Sequence, residues 1–185
     1  MIIETERLLV RNFKEEDWKD LQEYIIEEEV LKFESDWDST DEGCKKAAMS
    51  LSQSNAFWAV ELKTKGKMIG HVYFNQAMPK KFLSWNLGYI FNPKYYGKGY
   101  ATEACKAIIQ YGFDNLQIHR VSARCNPDNI KSWKLLERIL MRREGNLKKS
   151  YFIKRNNNGD PIWWDEYEYG ILREEWEDIE YKIIE

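Results

Sequence analysis

The chain has 185 residues, of which 43% are apolar, 15% aromatic and 32% charged, and 28 basic against 31 acidic side chains give a formal charge of -3. That is the composition of a folded chain with one sizeable core; it argues against disorder and against binding nucleic acid through bulk positive charge. No apolar run approaches the roughly 20 residues of a membrane span, and the start, MIIETERLLVR, lacks the apolar stretch of a secretory leader, so neither a membrane nor a nucleic-acid partner is expected.

Along the chain, RLLVRNF (Arg7 to Phe13) is short and apolar and reads as a first strand. In KEEDWKDLQEYIIEEE, Trp18, Leu21 and Ile25 recur at spacings of three and four, which predicts an amphipathic helix, with Asn12 and Glu15 as a capping box. A second helix is expected from about Thr40 to Ser52, with Ser39 and Glu42 fitting the same box. The period then changes. AFWAVEL (Ala56 to Leu62) and MIGHVYF (Met68 to Phe74), joined by KTKGK, form a hairpin. SWNLGYIF (Ser84 to Phe91) is a strand ended by Asn92-Pro93. A helix follows from about Ala101 to Asn115, then the strand Arg120 to Cys125 and a helix from Asn129 to Leu140. KSYFIK and DEYEYGIL (Asp165 to Leu172) are the last strands, and REEWEDIEYK is a closing helix.

With no repeat and no linker, the chain reads as a single α/β (α+β) domain over residues 1–185, built on a mixed, mostly antiparallel sheet of about six to seven strands flanked by helices. Hairpins imply antiparallel pairing. The strand–helix–strand unit around Gly97 and Gly99 implies one parallel pair. The three cysteines, Cys44, Cys105 and Cys125, contain no CxxC, and with only His71 and His119 a metal site is not expected. A reduced, cytoplasmic setting follows.

YYGKGYATEAC (Tyr95 to Cys105) places two glycines just ahead of a helix. It does not match a Walker A loop, and Gly97-Lys98-Gly99-Tyr100-Ala101-Thr102 fits the dinucleotide fingerprint poorly. It suits a short loop whose backbone N–H groups face a pyrophosphate at a helix N-terminus, with Lys98 adding charge. By itself the stretch is equally a tight turn that opens a helix.

The surroundings add to this. LGYIFNPKYYGKGYATEACKAIIQYGF followed by ARCNPDNIKSWKLLER resembles the GNAT superfamily of acetyl-CoA-dependent N-acetyltransferases, within it the ribosomal-protein N-terminal (Rim-type) branch, and the likeness runs from TERLLVR to YEYGILREEW. The resemblance implies an acetyl-CoA co-substrate, no metal, and splayed parallel central strands that admit the pantetheine arm. It implies that the N–H groups of Gly97, Lys98, Gly99, Tyr100 and Ala101, with Thr102, hold the pyrophosphate, and that the backbone at Ile90 and Phe91 pairs with the arm. Asn126 is the implied amide partner of the pantetheine, and Asn129 is an N-cap, a further contact, or both. Tyr96 stands where the family signature has Gln or Arg, and Leu140-Met141 stands where it usually has Gly-Phe, so the exit of that helix should be made differently. Glu103, in the first helical turn, reads as mainly structural.

Acetyl transfer to an amine needs a neutral nitrogen, a polarised thioester oxygen and a protonated leaving sulfur. Many relatives use a Tyr as the acid, and the aligned residue here is Leu136. The branch pattern Asn-x-x-Ser is present as Asn129 to Ser132, so Ser132 is the candidate acid; the plain alternative is a helix-start serine. No single base stands out among Glu34, Asp36, Asp38, Glu61 and His71. Trp163 and Trp164 with Asp165, Glu166 and Glu168 either grip a cationic amine or cap the sheet. The acceptor is an amine, on a protein N-terminus, a small molecule such as a polyamine or antibiotic, or an amino acid; a non-catalytic CoA-binding module is the alternative, and a homodimer is compatible with either.

Overall fold

A computed structural model describes residues 2–35 and 37–184, with side chains to residue 178. Eight strands form one sheet: β1 (Ile2–Glu4), β2 (Leu8–Asn12), β3 (Phe57–Leu62), β4 (Lys67–Gln76), β5 (Ser84–Phe91), β6 (Arg120–Cys125), β7 (Arg142–Tyr151) and β8 (Trp164–Leu172). Their order across the sheet is β1-β2-β3-β4-β5-β6-β8-β7. Only β5 and β6 run parallel; every other neighbour is antiparallel. The helices are α1 (Trp18–Ile25), α2 (Glu28–Leu31), α3 (Asp41–Ser52), α4 (Tyr100–Asn115), α5 (Ile130–Arg138) and α6 (Arg173–Ile184).

The sheet exceeds the expected six to seven strands because three residues at its edge, β1, are too few to show alternation. β7 begins at Arg142, well before the expected KSYFIK, since its mostly exposed RREGNLKKSY has no apolar period. That composition suits the opposite edge of the sheet, where charge blocks further pairing. Two caps also differ from expectation. Thr40, not Ser39, caps α3 by accepting the Gly43 N–H at 3.0 Å. Before α1, the Asp17 carboxylate accepts the Lys14 N–H at 2.8 Å, in place of the Asn12–Glu15 box.

Two apolar clusters hold the sheet. In the larger, Ala104, Ile108, Ile109 and Phe113 of α4 and Leu135 and Leu136 of α5 pack on Val60, Val72, Phe74, Leu87 and Val121. In the smaller, Leu21, Tyr24 and Ile25 of α1 and Cys44 and Leu51 of α3 cover the other face, against Ala59 and Met68. Arg11 is buried, yet it binds Asp17 at 2.8 Å and Glu61 at 2.7 Å. These carboxylates outweigh the burial that would discharge it and raise its pKa.

The exit of α5 corrects the expectation drawn from Leu140-Met141. The Leu140 N–H donates to Glu137 O and the Met141 N–H to Leu136 O, both at 3.0 Å, which is the pairing of a glycine-capped helix end. Leu140 itself adopts the left-handed conformation (φ 66°) that glycine usually fills. A left-handed non-glycine residue costs about 1–2 kcal/mol, and Leu140 is 46% exposed, so little packing offsets it. Leu140→Gly is expected to stabilise the fold by about 0.5–1 kcal/mol after the greater unfolded-state freedom of glycine is subtracted. Urea unfolding measures this, and a loss of stability would refute the strain argument.

Candidate functional site

The parallel pair that centres the sheet is short. β5 and β6 pair at Ser84↔Arg120, Trp85↔Val121, Asn86↔Ser122 and Leu87↔Ala123, and there the ladder stops. β4 continues to hold β5 as far as Phe91, and β8 holds β6 as far as Cys125. The two strands are therefore fixed from their outer sides while Gly88–Phe91 and Arg124–Cys125 are unpaired across the gap. Buried backbone polar groups need partners, so this gap suits a ligand arm that carries amides of its own.

Beyond β5, Gly97 (φ 74°) and Gly99 (φ 80°) take the left-handed conformation, and Gly99 is the N-cap of the long helix α4. The first helical N–H groups of α4 have no intrahelical partner and lie at the positive end of its dipole. Around them stand Lys98, whose Nζ lies 5.5 Å from the Tyr95 ring, and Arg138, whose Nη1 donates to Thr102 Oγ1 at 3.4 Å. Loop, dipole and cations together suit a phosphorylated ligand.

The loop is braced from the far end of the chain. Glu103 Oε1 accepts from Thr5 Oγ1 at 2.6 Å and from the Arg7 N–H at 2.9 Å, and Oε2 accepts from Arg7 Nε at 2.6 Å. Burial would raise the Glu103 pKa, but these donors hold it below the usual carboxylate value. Arg7 Nη1 then donates to Lys98 O at 2.9 Å, and its guanidinium lies 4.6 Å from the Tyr100 ring centre. Thr5 and Arg7 thus fix one side of the Gly97–Gly99 loop, a role that sequence reading missed because it joins residues more than ninety apart.

Ser132 lies in the first turn of α5, placed by Asn129, whose side chain accepts the Ser132 N–H at 3.2 Å. Asn129 is therefore an N-cap. Ser132 Oγ lies 2.9 Å from the hydroxyl of Tyr89, which also donates to Ser132 O at 2.9 Å. Tyr89 belongs to the unpaired part of β5, so this pair of hydroxyls bridges the gap. Burial pushes the Tyr89 pKa well above the ordinary value, which keeps its proton in place. Leu136 is fully buried in the core. The Asn126 Oδ1 accepts the Asp128 N–H at 2.8 Å and its backbone oxygen accepts from Asn129 at 2.9 Å, leaving its amide NH2 beside Tyr151.

Of the candidate bases, Glu61 is bound to Arg11, and Asp38 accepts from both the N–H and the hydroxyl of Thr40. His71 is 3% exposed, with Nδ1 2.6 Å from the Tyr24 hydroxyl and the rings of Phe13, Trp37 and Phe57 around it; burial pushes its pKa down to about 4. Asp36 lies outside the described residues. Glu34 is half-buried and engages in no hydrogen bond or ion pair among the described residues. Beside this region lies a cleft of about 410 Å³ lined by Lys32, Phe33, Asn126, Pro127, Asp128, Trp163, Trp164 and Asp165. Trp164 packs on Phe33 and Tyr151, while Trp163 is half-exposed against Phe152. Asp165 is engaged by Lys148 at 2.8 Å, Glu166 accepts from Ser150 at 2.9 Å, and Glu168 from Arg124 at 2.9 Å. Sequence reading grouped these side chains, but only Trp163, Trp164 and Asp165 line the cleft.

The sequence pattern of the "Acetyltransferase (GNAT) domain" matches residues 7–142. The chain belongs to the GNAT acetyltransferase family. It is 40% identical over 177 residues to the uncharacterized N-acetyltransferase YnaD of Bacillus subtilis, covering 95% of this chain and 99% of that protein. The crystal structure of a GNAT acetyltransferase from Bacillus anthracis superposes with a TM-score of 0.84 at 36% identity, over 94% of this chain and 99% of the other. Ribosomal-protein-S5-alanine acetyltransferase from Vibrio fischeri superposes with a TM-score of 0.76 at 26% identity, over 95% of this chain and 98% of the other. The Rim-type likeness read from the sequence is matched by these relatives.

As a GNAT N-acetyltransferase, the chain takes its acyl group from acetyl-CoA and passes it to an amine of a protein or small molecule. No helix among the described residues is long and apolar enough to cross a membrane. The brace on the glycine loop gives a test. Arg7→Ala removes the donor to Lys98 O, a charged hydrogen bond worth about 1.5 kcal/mol. The expected result is a roughly tenfold higher KM for acetyl-CoA with kcat within twofold. Steady-state kinetics that show an unchanged KM would dismiss the brace.

Proposed function

We propose that the whole chain is one acetyltransferase domain that transfers acetyl directly from acetyl-CoA to a primary amine, a protein N-terminus or a small molecule, without an acyl-enzyme. The observation that carries this reading is the gap between β5 and β6, opening beside the Gly97–Gly99 loop and bridged inside by two hydroxyls. In this reading the N–H groups of Gly97, Lys98, Gly99, Tyr100, Ala101 and Thr102 receive the pyrophosphate, and the free backbone at Ile90 and Phe91, the Asn126 amide and the Asn129 turn receive the pantetheine. Bound acetyl-CoA supplies a thioester acyl group to the gap.

Ser132 then protonates the departing sulfur. Its hydroxyl is held by Tyr89, which fixes its direction. A nucleophilic role for Cys125 does not suit it, because burial pushes that thiol up to about 11. The acceptor enters by the cleft beside Trp163 and Trp164. Its volume falls in the ordinary range for small-ligand sites. The cytoplasm is the setting we assign, because Cys44, Cys105 and Cys125 are unpaired thiols.

The test is thiol release from acetyl-CoA with spermidine, an aminoglycoside, free amino acids and an alanine-initiated pentapeptide as acceptors. Turnover with at least one is expected; none, together with no thermal shift by acetyl-CoA, would refute the reading. A saturating ligand at 100 times its Kd stabilises by about 2.7 kcal/mol. Ser132→Ala is expected to keep that shift and lose about 100-fold in kcat. Full turnover in the variant would remove Ser132 from the chemistry.

A further inference from the structure

Glu27-Glu28-Glu29 reads in the sequence as a solvated helix face, but two of the three are engaged. They begin α2, a single turn with Glu27 as its N-cap and Val30 as its buried side chain. Glu27 Oε1 lies 3.8 Å from Lys94 Nζ, in the turn that follows β5. Glu29 is paired with Lys131, in the first turn of α5, which follows β6. Lys131 Nζ also lies 4.8 Å from the ring centre of Tyr96. One turn of helix thus touches both edges of the gap and spans its mouth. A third lysine holds the far end of that turn: Lys154, between β7 and β8, donates to Leu31 O at 2.7 Å.

The next two residues carry the turn into the cleft. The Lys32 N–H donates to Glu28 O at 2.9 Å and the Phe33 N–H to Val30 O at 3.2 Å, so both are fastened to α2. Lys32 and Phe33 line the cleft, and the Phe33 ring stands edge-on to Trp164 at 6.4 Å. The hold on this wall is mostly polar. Val30 belongs to neither of the two apolar clusters that carry the sheet. The Glu29 and Lys131 side chains are 46% and 65% exposed, and exposed ion pairs are weak and screened by salt. A wall fastened in this way can lift without disturbing either cluster.

We propose that α2, with Lys32 and Phe33, is a strap across the mouth of the gap, and that Lys94, Lys131 and Lys154 are positioning residues that latch it shut. Shut, the strap sets Phe33 against Trp164 and completes the acceptor's cleft. Released, it carries Phe33 away and opens the cleft to solvent, so that acceptor and product pass. The proposal rests on the acetyltransferase reading above, in which the acceptor enters by this cleft. An acceptor that binds the shut form has its affinity reduced in proportion to the fraction of molecules that are shut. The latch therefore sets the KM of the acceptor. The KM of acetyl-CoA is set elsewhere, at the glycine loop that Thr5, Arg7 and Glu103 brace.

The test is Glu27→Gln/Glu29→Gln in the full chain, with the panel amine that the wild type acetylates fastest. Glu28→Gln is the control. Glu28 lies on the same turn, exposed and with no ion pair among the described residues, so its variant changes the charge there and leaves the latch intact. The double variant is expected to raise the acceptor KM about fivefold, the effect of two exposed pairs, with kcat and the acetyl-CoA KM within about twofold. Glu28→Gln should match the wild type. In about 1 M salt, where screening acts over about 3 Å, the difference between wild type and double variant should close. Without substrates, amide hydrogen exchange at residues 30–33 should be faster in the double variant and unchanged in α4. An acceptor KM that stays at the wild-type value, or that Glu28→Gln raises equally, would overturn the strap and leave the acetyltransferase reading in place. Unchanged exchange at residues 30–33 would overturn it as well. Wild-type protein that turns over no panel amine would instead overturn the reading on which the proposal rests.

Discussion

The structure depends on the early end of one parallel ladder. β5 and β6 share four rungs and then part, although each continues for two or more residues. Strands part this way only if something else holds them. Here β4 grips β5 along its whole length and β8 grips β6 to its last residue. The gap is thus a consequence of antiparallel pairing on both flanks, and the hydroxyls of Tyr89 and Ser132 span it where the ladder is missing. A sheet of eight strands makes such a defect tolerable, because the core beneath it is continuous through Leu87, Val121 and the faces of α4 and α5.

The same division of labour governs the glycine loop. Gly97 and Gly99 permit the backbone path, but a loop free to take that path is also free to leave it. The bonds from Thr5 and Arg7 to Glu103, and from Arg7 to Lys98 O, fix it without occupying the N–H groups on the other side. An acidic residue in the first turn of α4 is favourable to the dipole on its own. Its larger contribution here is to anchor the N-terminal turn of the chain to the loop.

Most of the fold was legible because its elements are long and periodic. β5 and β6 were read to the residue, and α3 and α4 to within one. What was not legible had a physical reason. β1 is too short to show a period, and β7 is an exposed edge whose charges mask it. Leu140 looked like a departure from a glycine cap, yet the helix end kept its hydrogen bonds and the leucine absorbed the strain. In the site, the glycine loop and Asn129–Ser132 are local patterns and could be seen. Tyr89 against Ser132 and Arg7 against Glu103 are contacts across 43 and 96 residues, which no spacing encodes. The candidate bases looked alike until the partners of Asp38, Glu61 and His71 were known.

Those partners separate framework from function. Arg11 with Asp17 and Glu61, and Lys67 with Asp20 and Glu23, are clusters in which one cation is shared by two carboxylates. Removing one member of such a cluster leaves the rest unmatched, so their value is to lock one arrangement of strands and helix. Each cluster ties α1 or the turn before it to β2, β3 or β4, so the strands on one flank of the gap are fixed from the side away from it.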